Sequence, residues 1–145
     1  MGDKVDPLLE LAVWGNLDRF SDYSLILLNG HVFLEKIIEI ALKRMGDPDP
    51  EKLSFYSKVI RLKHLLGQSP HSDSIIYSLT ELNRLRNKLA HEFKYDAKNG
   101  EFHSWSEHIH LNFEGEKYTK FTQRTKIVHA FSFLAINILE ASNQE

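Results

Sequence analysis

The stretch LNRLRNKLAHEF, residues 82–93, places Arg86, Asn87 and His91 within one short run of a leucine-rich segment. A guanidinium keeps its charge at every physiological pH, and its planar fork of donors matches the oxygens of a carboxylate or phosphate. An imidazole titrates near neutrality and so moves protons. An asparagine between them brings both a donor and an acceptor. The chemistry that this trio suggests is metal-free work at a phosphate, with a cation to hold the charge and a histidine to shift a proton.

Residues 73–92 read as a helix with Ile75, Leu79, Leu82, Leu85 and Leu89 inward. At about 100° per residue from Ile75, Leu79 falls at about 40°, Leu82 at about 340° and Leu89 at about 320°. Arg86 falls at about 20°, in the middle of the apolar stripe, whereas Asn83, Asn87 and His91 lie at about 80°, 120° and 160° and make a polar edge beside it. A charge on an apolar face needs a carboxylate, a phosphate or a wet cleft. Two readings follow: a structural ion pair from Arg86 to Glu35 or Glu39, or an anion site in which Arg86 grips a phosphate and His91 moves protons. Arg84, Lys88 and Lys94, with Asn83, form a locally basic and polar surround suited to RNA, and Arg61 and Lys63 add to it from residues 50–66. For Arg84 and Lys88 the plain alternative is a solvated helix end, where the dipole favours cations.

The rest of the chain must position that helix. "DPLLELAVW" predicts a short opening helix, with Asp6 as N-cap and Pro7 at its first position. Ser21 or Asp22 caps a long segment whose Leu27, Leu34, Ile37, Ile38, Ala41 and Leu42 recur at helical spacing. Gly30 within it points to a close neighbour. "MGDPDP" stops that helix at Gly46 and restarts the chain at Asp49 and Pro50. Residues 50–66 carry a stripe of Phe55, Val59, Leu62 and Leu66. Residues 94–118 are rich in turn formers, and the alternation of Ile109, Leu111 and Phe113 predicts a short strand or hairpin arm there. The last helix, about 119–142, has a stripe of Ile127, Val128, Phe131, Leu134 and Ile138, with Phe133 and Ile136 on other faces. The expected fold is therefore all-α: one domain, 1–145, an antiparallel bundle of four long helices plus the short N-terminal one, with an irregular insertion before the last helix.

The sequence string Arg86-Asn87-Lys88-Leu89-Ala90-His91 resembles the Arg-x4-His motif of the HEPN superfamily, with the polar residue directly after the arginine. "LNGHVFLEKIIEIALKR" and "LSFYSKVIRLKHLLG" are similar to its mannitol-operon-repressor-like branch. The resemblance covers residues 22–93. It implies an all-α bundle that dimerises so that two motifs face one cleft, and a metal-independent endoribonuclease of toxin or defence type. On that pattern Arg86, Asn87 and His91 are the catalytic residues. Arg86 stabilises the phosphorane and Asn87 orients the phosphate or the histidine. His91 takes the proton of the ribose 2′-OH, and cleavage leaves a 2′,3′-cyclic phosphate. The alternatives are a non-catalytic dimeric regulatory or interaction protein of the repressor-like type, and a nucleotide-binding accessory domain. The expected partners are a second copy of the chain, RNA, and an antitoxin or regulatory protein, and no cofactor is expected.

Composition narrows the field. With 145 residues, 42% of them hydrophobic and 26% charged, the chain is of ordinary globular composition and long enough for a real core. A net charge of −2 argues against a bulk electrostatic grip on nucleic acid. The absence of cysteine removes disulfides, thiolate chemistry and cysteine-ligated zinc. "MGDKVDPLLE" has acids where a secretory signal needs a basic and then apolar run, and Asp6 breaks a myristoylation pattern. No apolar run is long enough for a membrane span. A cytoplasmic location is expected. No glycine-rich phosphate loop or basic recognition helix occurs. His103, His108 and His110 offer at most a metal pair without a third ligand at familiar spacing. Trp14 and Trp105 could stack bases, though core packing is the plainer role, and His31, His64 and His129 read as packed or surface histidines.

Overall fold

The computed structural model of the chain describes residue 17, residues 22–113 and residues 122–143. The opening helix expected over 6–14 and Trp14 lie outside those residues. Among the described residues there are five α-helices and no strand: α1 (Tyr23–Arg44), α2 (Phe55–Leu66), α3 (Pro70–His91), α4 (Glu101–Asn112) and α5 (Gln123–Ala141). None is long and apolar enough to cross a membrane.

Local chemistry sets the helix starts. Asp22 caps α1 by accepting from the Ser24 amide at 2.7 Å. Ser54, Ser69 and Thr122 cap α2, α3 and α5 through the amides of Ser57, Ser72 and Thr125. Each such cap contributes about 1 kcal/mol. Pro70 follows Ser69 at the first turn of α3, so this helix begins earlier than residue 73.

The helix α4 corrects the expectation of a strand. The alternation of Ile109, Leu111 and Phe113 is accidental, because Leu111 is 84% exposed while Phe102, Trp105 and Ile109 are buried. Those three recur at steps of three and four, which is the helical period. Gly100 supplies the entry with φ +106, a left-handed conformation that glycine adopts without strain, and Asn99 Oδ1 accepts from the Glu101 amide at 2.9 Å.

The core is aromatic where α1, α4 and α5 meet. Phe131 packs edge-on to Phe102 and at 4.8 Å from Trp105, and the indole N–H of Trp105 donates to Ser78 O on α3 at 2.8 Å. Trp105 is therefore a core residue. Gly30 is the close approach that the sequence predicts: a Cβ there would sit 2.3 Å from the Phe131 ring. Fully burying a ring such as Phe131 stabilises by roughly 1.5–3 kcal/mol.

The expected antiparallel order fails at its first pair. Phe55, Lys58 and Arg61 advance along α2 while their partners His31, then Glu35 and Glu39, then Asp47 advance along the chain of α1. The two helices run in the same sense. The link of residues 45–54 permits this, since an extended chain spans roughly 3.3 Å per residue and can return along the helix it has left. By contrast α3 and α4 are antiparallel: His71 meets Phe113, Tyr77 meets His108 and Arg84 meets Glu101.

Candidate functional site

The face of α3 that carries the motif looks toward α1 and α2. Leu82 and Leu85 are fully buried, Leu89 packs partly against the core, and Arg86 is half-buried among them. Asn83 is also half-buried, whereas Asn87 and His91 are exposed, with His91 closing the helix. Asn83, Asn87 and His91 follow one another at four-residue steps and so are surface neighbours, with Arg86 beside them.

The reading that pairs Arg86 with Glu35 or Glu39 is not what forms. Both carboxylates hold Lys58 instead, at 2.6 and 3.0 Å, on a lysine only 2% exposed. Burial pulls the Lys58 ammonium down, but the hydrogen bonds to Glu35 and Glu39 outweigh it and raise its pKa. Among the described residues Arg86 makes no hydrogen bond and no ion pair.

A residue that the sequence assigns to packing joins this face. His31, on α1, is 7% exposed and stacks on Phe55 with ring centroids 4.0 Å apart. Its Nε2 lies 3.1 Å from Asn83 Oδ1. Burial holds its pKa below the ordinary histidine value, opposed by the Asn83 hydrogen bond and reinforced by the nearby charge of Arg86. Nothing in the local sequence announces this contact, because the partners are 52 residues apart. The one sequence signal is Gly30 next door, which lets α1 sink into the core.

The basic surround expected for RNA separates into two groups. Arg84 is clamped by Glu81 and by Glu101 of α4, and Lys88 reaches Glu101 at 3.7 Å. Hydrogen bonds that Arg84 donates to Glu81 and Glu101 raise its pKa and lower that of Glu101. Their charges are thus compensated within the chain. Arg84, Glu81 and Glu101 border a cleft of about 360 Å³ between α3 and α4, lined also by Tyr77, Trp105 and His108. Lys94, like Asn87 and His91, stays exposed.

The three histidines of α4 have separate partners. His103 pairs with Glu107 at 3.0 Å, His108 Nδ1 lies 3.2 Å from the Asn112 amide, and His110 meets Lys126 O at 2.8 Å. No protein-family model matches the chain, and neither a curated protein nor a solved structure is found to be similar to it.

Proposed function

We propose that the protein is a HEPN-like, metal-independent endoribonuclease of toxin or defence type, working as a homodimer with Arg86, Asn87 and His91 of each copy at a shared cleft. The observation that carries this reading is the state of Arg86. It is a permanent cation, half-withdrawn from water, and the carboxylates of Glu35 and Glu39 are spent on Lys58. A cation so placed gains most from an external anion, and a phosphodiester supplies one.

In the proposed reaction His91 takes the proton from a ribose 2′-OH, and the 2′-oxygen attacks the adjacent phosphorus. Arg86 stabilises the charge that gathers on the phosphorane oxygens, with Asn87 orienting the group. The P–O5′ bond breaks, the leaving 5′-oxygen takes a proton from His91 of the second copy, and the products are a 2′,3′-cyclic phosphate and a 5′-OH. DNA lacks the nucleophile. The RNA-facing role passes to Lys94 and Asn83 more than to Arg84 and Lys88, which Glu101 already engages.

The second reading, a non-catalytic regulatory or interaction protein, draws on a different observation. The last helix spends Ile127, Val128, Phe131, Phe133, Leu134 and Ile138 inside its own chain. Apolar side chains are exposed instead on α1 and α2, among them Val32 at 58% and Tyr56 at 63%. Expression in a host cell separates the two. The nuclease reading expects growth arrest that His91→Ala relieves while the purified variant keeps its helicity and melting temperature. Growth unaffected by the intact chain, together with inert purified protein, favours the interaction reading.

A further inference from the structure

The hydrogen bond between His31 and Asn83 couples the tautomer of the ring to the orientation of the amide. In the structure Asn83 Oδ1 faces Nε2, and since an amide oxygen only accepts, this arrangement has the imidazole donating from Nε2. Turned over, the amide would donate from Nδ2 to Nε2 of a ring protonated at Nδ1, so the position of the ring proton reports which end of Asn83 faces His31. With Oδ1 facing the ring, both N–H groups of Asn83 Nδ2 are left without a protein acceptor among the described residues. Arg86 is three residues further on, and residues at that spacing are side by side on a helix.

We propose that Asn83 and Arg86 together form a seat for a phosphate oxyanion, and that His31 is the positioning residue that turns the Asn83 amide toward it. The proposal deepens the Arg86 reading above and rests on it. Two amide donors and a guanidinium fork stand one helical step apart on the same face, donors of the kind that suit the oxygens of one phosphate group. His31 is fit to act as a fixed donor, since it is buried and clamped against Phe55 at an interplanar angle of 28°. The charged groups bearing on it come from all three helices: Glu35 from α1, Lys58 from α2 and Arg86 from α3. Burial, with the two cations, lowers its pKa against the pull of the Asn83 bond and Glu35, which favours the neutral ring in this contact.

The test is a titration of the full chain with inorganic phosphate, followed by NMR of the Asn83 side-chain amide and the Arg86 Nε–H. Arg86→Ala should abolish saturable binding. Asn83→Ala and His31→Leu should each weaken it about tenfold, the loss of one hydrogen bond to a charged group. His31→Gln retains an N–H donor and should stay within about threefold of the parent chain. Should His31→Leu fail to fold, Asn83→Ala carries the comparison. Binding abolished by Arg86→Ala yet untouched by Asn83→Ala overturns the seat and leaves the Arg86 reading standing. Binding that survives Arg86→Ala, or none at all, takes down both. A ring proton found on Nδ1 of His31 rather than Nε2 also overturns the positioning role.

Discussion

Arg84 and Arg86 leave neighbouring positions on α3 toward different parts of the molecule. Arg84 faces α4, which begins with Glu101, and that carboxylate joins Glu81 in a clamp about the guanidinium. Arg86 faces α1 and α2, where two glutamates also stand, but Lys58 has drawn both onto itself. The two arginines are the same chemical group at the same end of the same helix. What separates them is that Arg84 has two carboxylate partners while Arg86 has none among the described residues. A basic residue near a motif is thus weak evidence of a binding role until its intramolecular partners are known.

The comparison breaks or sharpens under substitution. The largest expected effect is Arg86→Ala in an RNA-cleavage assay: a loss of about 10²–10³-fold, as for removal of one donor to a transition-state oxyanion, with little change in melting temperature. Arg84→Ala should invert the pattern, keeping cleavage within a few-fold. Comparable losses in both variants would erase the distinction. Next in size is Lys58→Met, which strands Glu35 and Glu39 and should destabilise by about 3 kcal/mol in a urea melt. The freed carboxylates should also turn to Arg86 and weaken phosphate binding, an effect that Glu35→Gln with Glu39→Gln in the same background should reverse.

Smaller effects belong to exposed or titrating groups. Arg84→Ala should cost about 1 kcal/mol or less, because its ion pairs are partly solvated. Two pH dependences follow. Glu101 is held below the ordinary glutamate value by Arg84, so the stability from that pair is present above the ordinary value and lost as pH falls through the folded one. His31 is also held low, so the unfolded chain takes up its proton first, and stability declines as pH falls below about 6.5. Thermal melts of the parent chain and His31→Gln across that range check this: the slope should flatten in the variant, and an unchanged slope would count against a buried neutral imidazole.

How much of this could be read from the sequence depends on the distance between partners. Helices α1, α2, α3 and α5 were legible because their apolar stripes are local, as is the Asp22 cap of α1; the caps Ser54 and Ser69 were not read, and α2 starts at Phe55 rather than at residue 50, where a short 3-10 turn stands instead. The half-burial of Arg86 was legible for the same reason, as a position on a wheel. Helix α4 was misread because Leu111 completed a false alternation, although Phe102, Trp105 and Ile109 carried the true period and Asn99-Gly100 marked its start. The shared direction of α1 and α2 was not legible, since a ten-residue link is compatible with either sense. Nor were the choice of Lys58 over Arg86 by Glu35 and Glu39, or the meeting of His31 with Asn83. These are decided by packing between helices far apart in the chain.

The most direct measurement is cleavage of a defined RNA by the purified chain in EDTA, beside Arg86→Ala and His91→Ala and an RNA with a single 2′-deoxy substitution at the cut site. The account predicts products ending in 2′,3′-cyclic phosphate, loss of cutting in both variants, and no cutting at the 2′-deoxy position. RNA left intact with and without divalent metal, or cutting that His91→Ala does not diminish, would contradict it.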